Sequence, residues 1–253
     1  MKFTIKKNLT KKILSFFLGT YCFLQLNQPL VYGEASFWRF DRVDHGQTKS
    51  FLNLNTASQR SRKNQLLLNP LDKKLRIQNL CKKTLEKYSK YRWKSFPCES
   101  LPWQADLMSL KGDPLIYATF GNGKNKTLFL GGVHPDELTP IHLVFNLALY
   151  LHENPHIYLN KDVQIIVAPH VSPDGFFIKK PLRTNGLVDL NRNFLTADWS
   201  EKAHQAWRKR RNGDLRKFPG YIPNSEIETF FQTQLIERFK PEKILTMHAP
   251  LGF

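Results

Sequence analysis

Cysteine is scarce in this sequence, with only Cys22, Cys81 and Cys98 among 253 residues. Cys22 follows Gly19, Thr20 and Tyr21, which is not a lipid-attachment context, so a lipid anchor at that position is excluded. Cys81 and Cys98 make an even pair, and a bridge between them would close a short loop worth ~3 kcal/mol. Two free thiols fit the sequence equally well. The apolar stretch from Ile13 to Leu26 is 14 residues and is broken by Ser15, Gly19, Thr20 and Gln25, short of the ~20 that a spanning helix needs. Acids are few, 21 against 38 lysines and arginines, giving a formal charge of +17. No internal repeat is visible.

The length leaves room for one α/β domain with a leader and excludes two large domains. Lys6, Lys7, Lys11 and Lys12 precede the apolar stretch, and Gln28, Pro29 and small residues near Gly33 and Ala35 follow it. A basic flank, a short apolar segment and a small-residue region describe a secretory signal peptide over residues 1–33, with an uncleaved membrane anchor as the other reading. Its removal takes away five lysines and no acid, lowering the charge to +12. A basic surface favours acidic partners such as anionic lipid, anionic cell-wall polymer or nucleic acid. Export to a periplasmic or secreted location makes nucleic acid the least suitable, and removal of the leader leaves no stable membrane span.

Residues 34–102 read as linker and amphipathic helix. The polar part, rich in Ser, Asn, Gln and Arg, runs to about Asn69. Leu75, Ile77, Leu80, Leu85 and Tyr88 then recur at loose helical spacing between lysines, predicting an exposed helix that leads into the domain. From residue 103 to 253 strand and helix signals alternate. Strands are expected at Pro114–Phe120, Thr127–Leu130, Val163–Ala168 and Lys243–Met247, and a buried helix at Ile141–Leu151. Ser225 and Glu228 have capping-box spacing before a helix marked by Ile227, Phe230, Phe231, Leu235 and Phe239. The pattern implies an α/β fold, a mostly parallel, mixed sheet with helices on both faces. Ligands of such sheets collect at the carboxyl ends of the strands.

Chemistry concentrates at those ends. His134 and Glu137 follow the strand ending at Leu130, and His248 follows the last strand. Two imidazoles and a carboxylate suit a three-ligand metal site with one position open for water. A lone His-x-x-Glu is a weak signal. Here it is joined by the turn Ser172, Pro173, Asp174, Gly175 and by the string Asp189, Leu190, Asn191, Arg192, Asn193, Phe194. The run Arg208 to Arg211 reads as a solvated helix or loop face, His142, His152, His156 and His204 as packing or surface residues, and His170 as a strand-end histidine within reach of the site.

This combination resembles the M14 zinc carboxypeptidases. The matching residues are Gly132, His134 and Glu137, then Pro173 to Gly175, Asp189 to Phe194, and His248, which follows Glu137 by 111 residues. The run Ser109 to Leu115 resembles the segment with which such domains commonly begin. The resemblance implies one Zn2+ held by His134, Glu137 and His248, with Asn191 and Arg192 holding the free carboxylate of a peptide. Arg183 would stabilise the oxyanion. It further implies a monomeric enzyme acting on a peptide or, given the bacterial-style leader, a cell-wall muropeptide.

Two departures stand out. Ser172 occupies a turn position where the family carries Asn. The family's general-base glutamate lies well downstream of the third ligand, whereas no acid follows His248 here, and Glu226, Glu228 and Glu237 are assigned to a helix cap and its solvated face. The general base is therefore expected to be absent from this chain, and the domain over 103–253 to be incomplete, its last strands missing. Two alternatives remain at this point. One is a zinc deacylase resembling aspartoacylase and succinylglutamate desuccinylase. The other is a non-catalytic, zinc-containing module that binds peptide or wall.

Overall fold

The computed structural model describes residues 70–91, 93, 96–178 and 188–249. The expected leader at 1–33, the polar stretch to 69 and Arg183 lie outside the described residues. Among those described, no helix is long and apolar enough to cross a membrane.

The elements in chain order are α1 (Pro70–Ser89), β1 (Gln104–Met108), β2 (Pro114–Gly121), β3 (Asn125–Leu130), α2 (Leu138–Glu153), β4 (Val163–Ala168), α3 (Pro173–Phe177), α4 (Trp199–Arg211), α5 (Ile227–Phe239) and β5 (Lys243–Thr246). Strand order is β1-β2-β4-β3-β5. β1 pairs antiparallel with β2 and β2 antiparallel with β4, while β4–β3 and β3–β5 are parallel. β2 alone thus runs against the other four, and the sheet is mixed. The parallel register sets Leu130 opposite both Ala168 and Thr246, so β3, β4 and β5 end together and their following loops share one edge.

Side chains alternate across the strands, which divides the core. On one face Leu128, Leu130, Ile166 and Ala168 meet Ile227, Phe231 and Leu235 of α5. On the other, α2 packs along β4 and β2 and buries Ile141, Val144, Phe145, Ala148 and Leu151. Each such side chain contributes roughly 1.5–3 kcal/mol when fully buried. The strongly apolar sequence of α2 follows from this position against the sheet, with Tyr88 of α1 packed on its first turns. The basic run Arg208 to Arg211 occupies the last turn of α4 and is exposed, where positive charge complements the helix C-terminus.

Two expectations are corrected. α1 is an integrated element, with Leu80, Cys81, Thr84 and Tyr88 buried as one face while Leu75 and Leu85 remain exposed. A disulfide joins Cys81 to Cys98, the Tyr88 hydroxyl donates to the Leu138 carbonyl oxygen at 2.8 Å, and its ring packs against Trp93, Phe96 and Phe176. The lysines between these positions suggested an exposed amphipathic helix, but covalent and aromatic contacts from distant segments bury the face that carries Leu80 and Tyr88. The capping box is likewise absent. Ser225 Oγ donates to Glu226 Oε1 at 2.9 Å, and the side chain of Glu226, the residue before α5, makes no capping bond. Glu228 is 3% exposed, since the first turn of α5 enters the core with Ile227, Glu228 and Thr229 together. Burial, reinforced by the charges of Asp174 and Glu226, raises its carboxyl pKa to about 8.

Candidate metal centre

The loop after β3 is shaped by backbone bonds along the shared edge. Gly131 N–H donates to Ala168 O, Val171 N–H to Gly131 O and Ser172 N–H to Gly132 O, at 2.9, 3.0 and 3.0 Å. Gly132 has φ +64°, and a Cβ there would lie 2.7 Å from Ile141 Cγ1. The glycine therefore supplies both a left-handed turn and close approach to α2. The chain then reverses, with Glu137 N–H donating to His134 O at 3.1 Å. His134 and Glu137 thereby fall on one side of the turn. β5 delivers the third residue, because Met247 N–H donates to Leu130 O at 2.9 Å and His248 follows directly.

The side chains converge. His134 Nδ1 lies 2.8 Å from Glu137 Oε1, and His248 Nδ1 lies 3.0 Å from Glu137 Oε2. The ligand atoms of His134, Glu137 and His248 all lie within 4.8 Å of one another, a spacing that fits one metal ion. His134 and Glu137 are buried, whereas the His248 side chain is 34% exposed, so the group is closed from the core and open to solvent. Burial tends to raise the Glu137 pKa, but hydrogen bonds from His134 and His248 prevail and hold it at about 2. Its carboxylate is thus ionised, the form in which it binds a cation.

Asp189 has a role that sequence spacing did not suggest. Its Oδ1 accepts from His134 Nε2 at 3.1 Å and from Asn191 N–H at 3.1 Å, with Asp189 itself 2% exposed. Both ring nitrogens of His134 therefore face carboxylates, an arrangement that accommodates a cation on the Glu137 side. A carboxylate behind a ligating imidazole fixes the ring orientation and increases its basicity. The signal in the sequence was the acid opening the Asp189–Asn193 string, but nothing there revealed a contact across 55 residues.

The same string brings Asn191 and Arg192 to the edge. A single 3-10 turn, Leu190–Arg192, is capped by Asp189. Asn191 Nδ2 donates to His248 Nε2 at 3.2 Å, and the exposed Arg192 donates to Asn191 O at 3.1 Å. Asn193 is buried and structural, its Nδ2 donating to Pro219 O and Ile222 O. Beside Arg192 opens a cavity of about 220 Å³ floored by Phe194, Trp199, Ala203 and Ala206. Asp136 forms an ion pair with Arg216, tying the His134–Glu137 turn to the segment after α4.

Other sequence candidates fall elsewhere. His170 lies at the end of β4 but is fully buried between Phe176 and Phe177; burial, with a smaller contribution from Lys83, lowers its pKa to about 3. It is not among the three converging residues. His142 packs against Tyr88 and Trp93, and His204 against Trp199, Trp207 and Phe218.

The zinc carboxypeptidase model of the peptidase M14 family matches residues 108–250, more than half of the chain and all of the converging residues. The chain belongs to this family. Its members are zinc-dependent, and the donor set of two imidazoles and an ionised carboxylate suits that ion. Murein peptide amidase A of Escherichia coli strain K12 is 33% identical over 147 residues, covering 57% of this chain and 57% of that protein. The chain thus spans little more than half the length of that relative. Among solved structures, the murein-tripeptide amidase of Escherichia coli O157 is 26% identical with a TM-score of 0.40, covering 57% of this chain and 59% of that one. Bovine thrombin-activatable fibrinolysis inhibitor, in complex with tick carboxypeptidase inhibitor, is 17% identical with a TM-score of 0.48, covering 70% and 60%.

Proposed function

We propose that this M14 chain serves an exported zinc carboxypeptidase that hydrolyses a C-terminal peptide bond in cell-wall muropeptides. The observation that carries the reading is the convergence of His134, Glu137 and His248 within 4.8 Å at the edge that also bears Asn191 and Arg192. The muropeptide assignment is supported by the likeness to murein peptide amidase A, and export by the residue pattern of 1–33.

His134, Glu137 and His248 would hold the zinc. When bound in such a site, zinc polarises a carbonyl and lowers the pKa of water. Asp189 keeps the His134 ring in its ligating orientation. Arg192 presents a planar, bidentate donor to a substrate carboxylate, with Asn191 beside it, so cleavage is confined to free C-termini. Arg183 is assigned to the oxyanion, where its charge acts on negative charge that develops in the transition state.

Peptide binding tests the assignment without depending on turnover. Zinc-loaded protein should bind a muropeptide with a free C-terminal carboxylate about tenfold more tightly than its C-terminal amide, and Arg192→Ala should erase the difference. A charged hydrogen bond contributes roughly 1.5–3 kcal/mol, and the exposure of Arg192 places the effect at the lower end. Equal affinity for both peptides would reject the carboxylate-binding role.

A further inference from the structure

Residues 199–222 form a lobe with a surface that the proposed peptidase chemistry does not use. α4 and the following segment fold together around Trp207, whose indole N–H donates to Asp214 O at 2.8 Å and whose ring meets Phe218 at 5.0 Å. Phe218 in turn meets Tyr221, also at 5.0 Å. The lobe carries seven lysines and arginines against two acids, Glu201 and Asp214. Three of these cations are committed: Lys202 to Asp198, Lys217 to Asp214, and Arg216 to Asp136. Arg208, Lys209, Arg210 and Arg211 are exposed, and among the described residues none of them is ion-paired. The same lobe exposes three large apolar side chains, Leu215 at 61%, Tyr221 at 84% and Ile222 at 49%.

We infer that this lobe docks the protein on an anionic lipid surface. Charge decides the sign of the partner, since four uncommitted cations complement a negatively charged headgroup layer. The apolar side chains decide its class. Leu215 and Ile222 gain by leaving water for hydrocarbon, which a hydrated anionic polymer does not offer, and a phenol such as that of Tyr221 suits the headgroup level. The Arg216–Asp136 ion pair joins the lobe to the residue preceding Glu137, so docking would hold the metal centre beside the bilayer. The inference stands whether or not the substrate is a muropeptide.

The test is amide hydrogen exchange on the full chain with phosphatidylglycerol vesicles, phosphatidylcholine vesicles or soluble polyphosphate. Reading exchange by peptide separates this lobe from any contribution of the N-terminal apolar segment. Amides of 212–222 should gain protection with phosphatidylglycerol only. A variant with Arg208, Lys209, Arg210 and Arg211 all changed to Gln should require at least tenfold more lipid for the same protection, because the charges that attract the anionic headgroups are lost. Leu215→Ser with Ile222→Ser should lose protection while its fold, read by near-UV circular dichroism, is unchanged. Absence of protection with phosphatidylglycerol, or equal protection with polyphosphate, would overturn the proposal.

Discussion

Asp189→Asn should weaken zinc binding about tenfold and leave the fold intact. The carboxylate is buried, with one oxygen accepting from both His134 Nε2 and Asn191 N–H at 3.1 Å. Asparagine preserves shape and one acceptor oxygen but removes the negative charge behind the imidazole. Loss of a hydrogen-bond partner behind a metal ligand typically costs 10- to 100-fold in affinity, roughly 1.4–2.7 kcal/mol. Asn should fall near the lower figure. Asp189→Ala should approach the upper one, because it also strands the buried His134 Nε2 and the part-buried Asn191 N–H, at about 1–3 kcal/mol of stability. Competition against a fluorescent chelator gives the zinc affinity, and thermal unfolding of the metal-free proteins gives the stability, so the two consequences are read separately. Wild-type affinity in Asp189→Asn would refute the idea that this carboxylate tunes His134.

Gly132→Ala should lower stability by about 1–3 kcal/mol, because its Cβ would meet Ile141 Cγ1 at 2.7 Å from a left-handed backbone; an unchanged melting temperature would contradict the close packing of this turn. Stability should also fall as pH rises between about 4.5 and 8. Folded Glu228 retains its proton up to about 8 while the unfolded chain releases it near 4.5, so the folded state binds more protons in that window, at a limiting slope of ~1.4 kcal/mol per pH unit. Glu228→Gln should remove that part of the slope in urea titrations across the window, and an unaltered slope would show that another group is responsible.

How much of this was legible in the sequence depended on whether the signal was local. Val163–Ala168 is strand in both the reading and the structure, because a β-branched run bounded by Pro169 is its own evidence. β1 carried no such signal and its pairing with β2 comes from the sheet. The convergence of His134, Glu137 and His248 was readable because all three lie in the segments that follow β3 and β5, whose ends the parallel register brings to one edge. Asp189 stood in plain sight, yet its partner was fixed by tertiary contacts. Glu228 misled for the same reason: its spacing from Ser225 matched a cap, but the burial of the first turn of α5 depends on what the sheet places beneath it. In α1 the visible stripe of Leu75, Ile77, Leu80, Leu85 and Tyr88 was right in part: Leu80 and Tyr88 are buried, but Leu75 and Leu85 are exposed, since the Cys81–Cys98 bridge and the Tyr88 contacts select which residues turn inward.

The most direct test of the central claim is the zinc content of the purified protein and of its His134→Ala, Glu137→Ala and His248→Ala variants, measured by elemental analysis after dialysis against trace zinc. The unaltered chain should hold about one zinc per molecule, as one three-ligand site requires, and each variant should retain far less while keeping its far-UV circular dichroism. Unchanged zinc content in folded His134→Ala would contradict the assignment of this site as the metal centre.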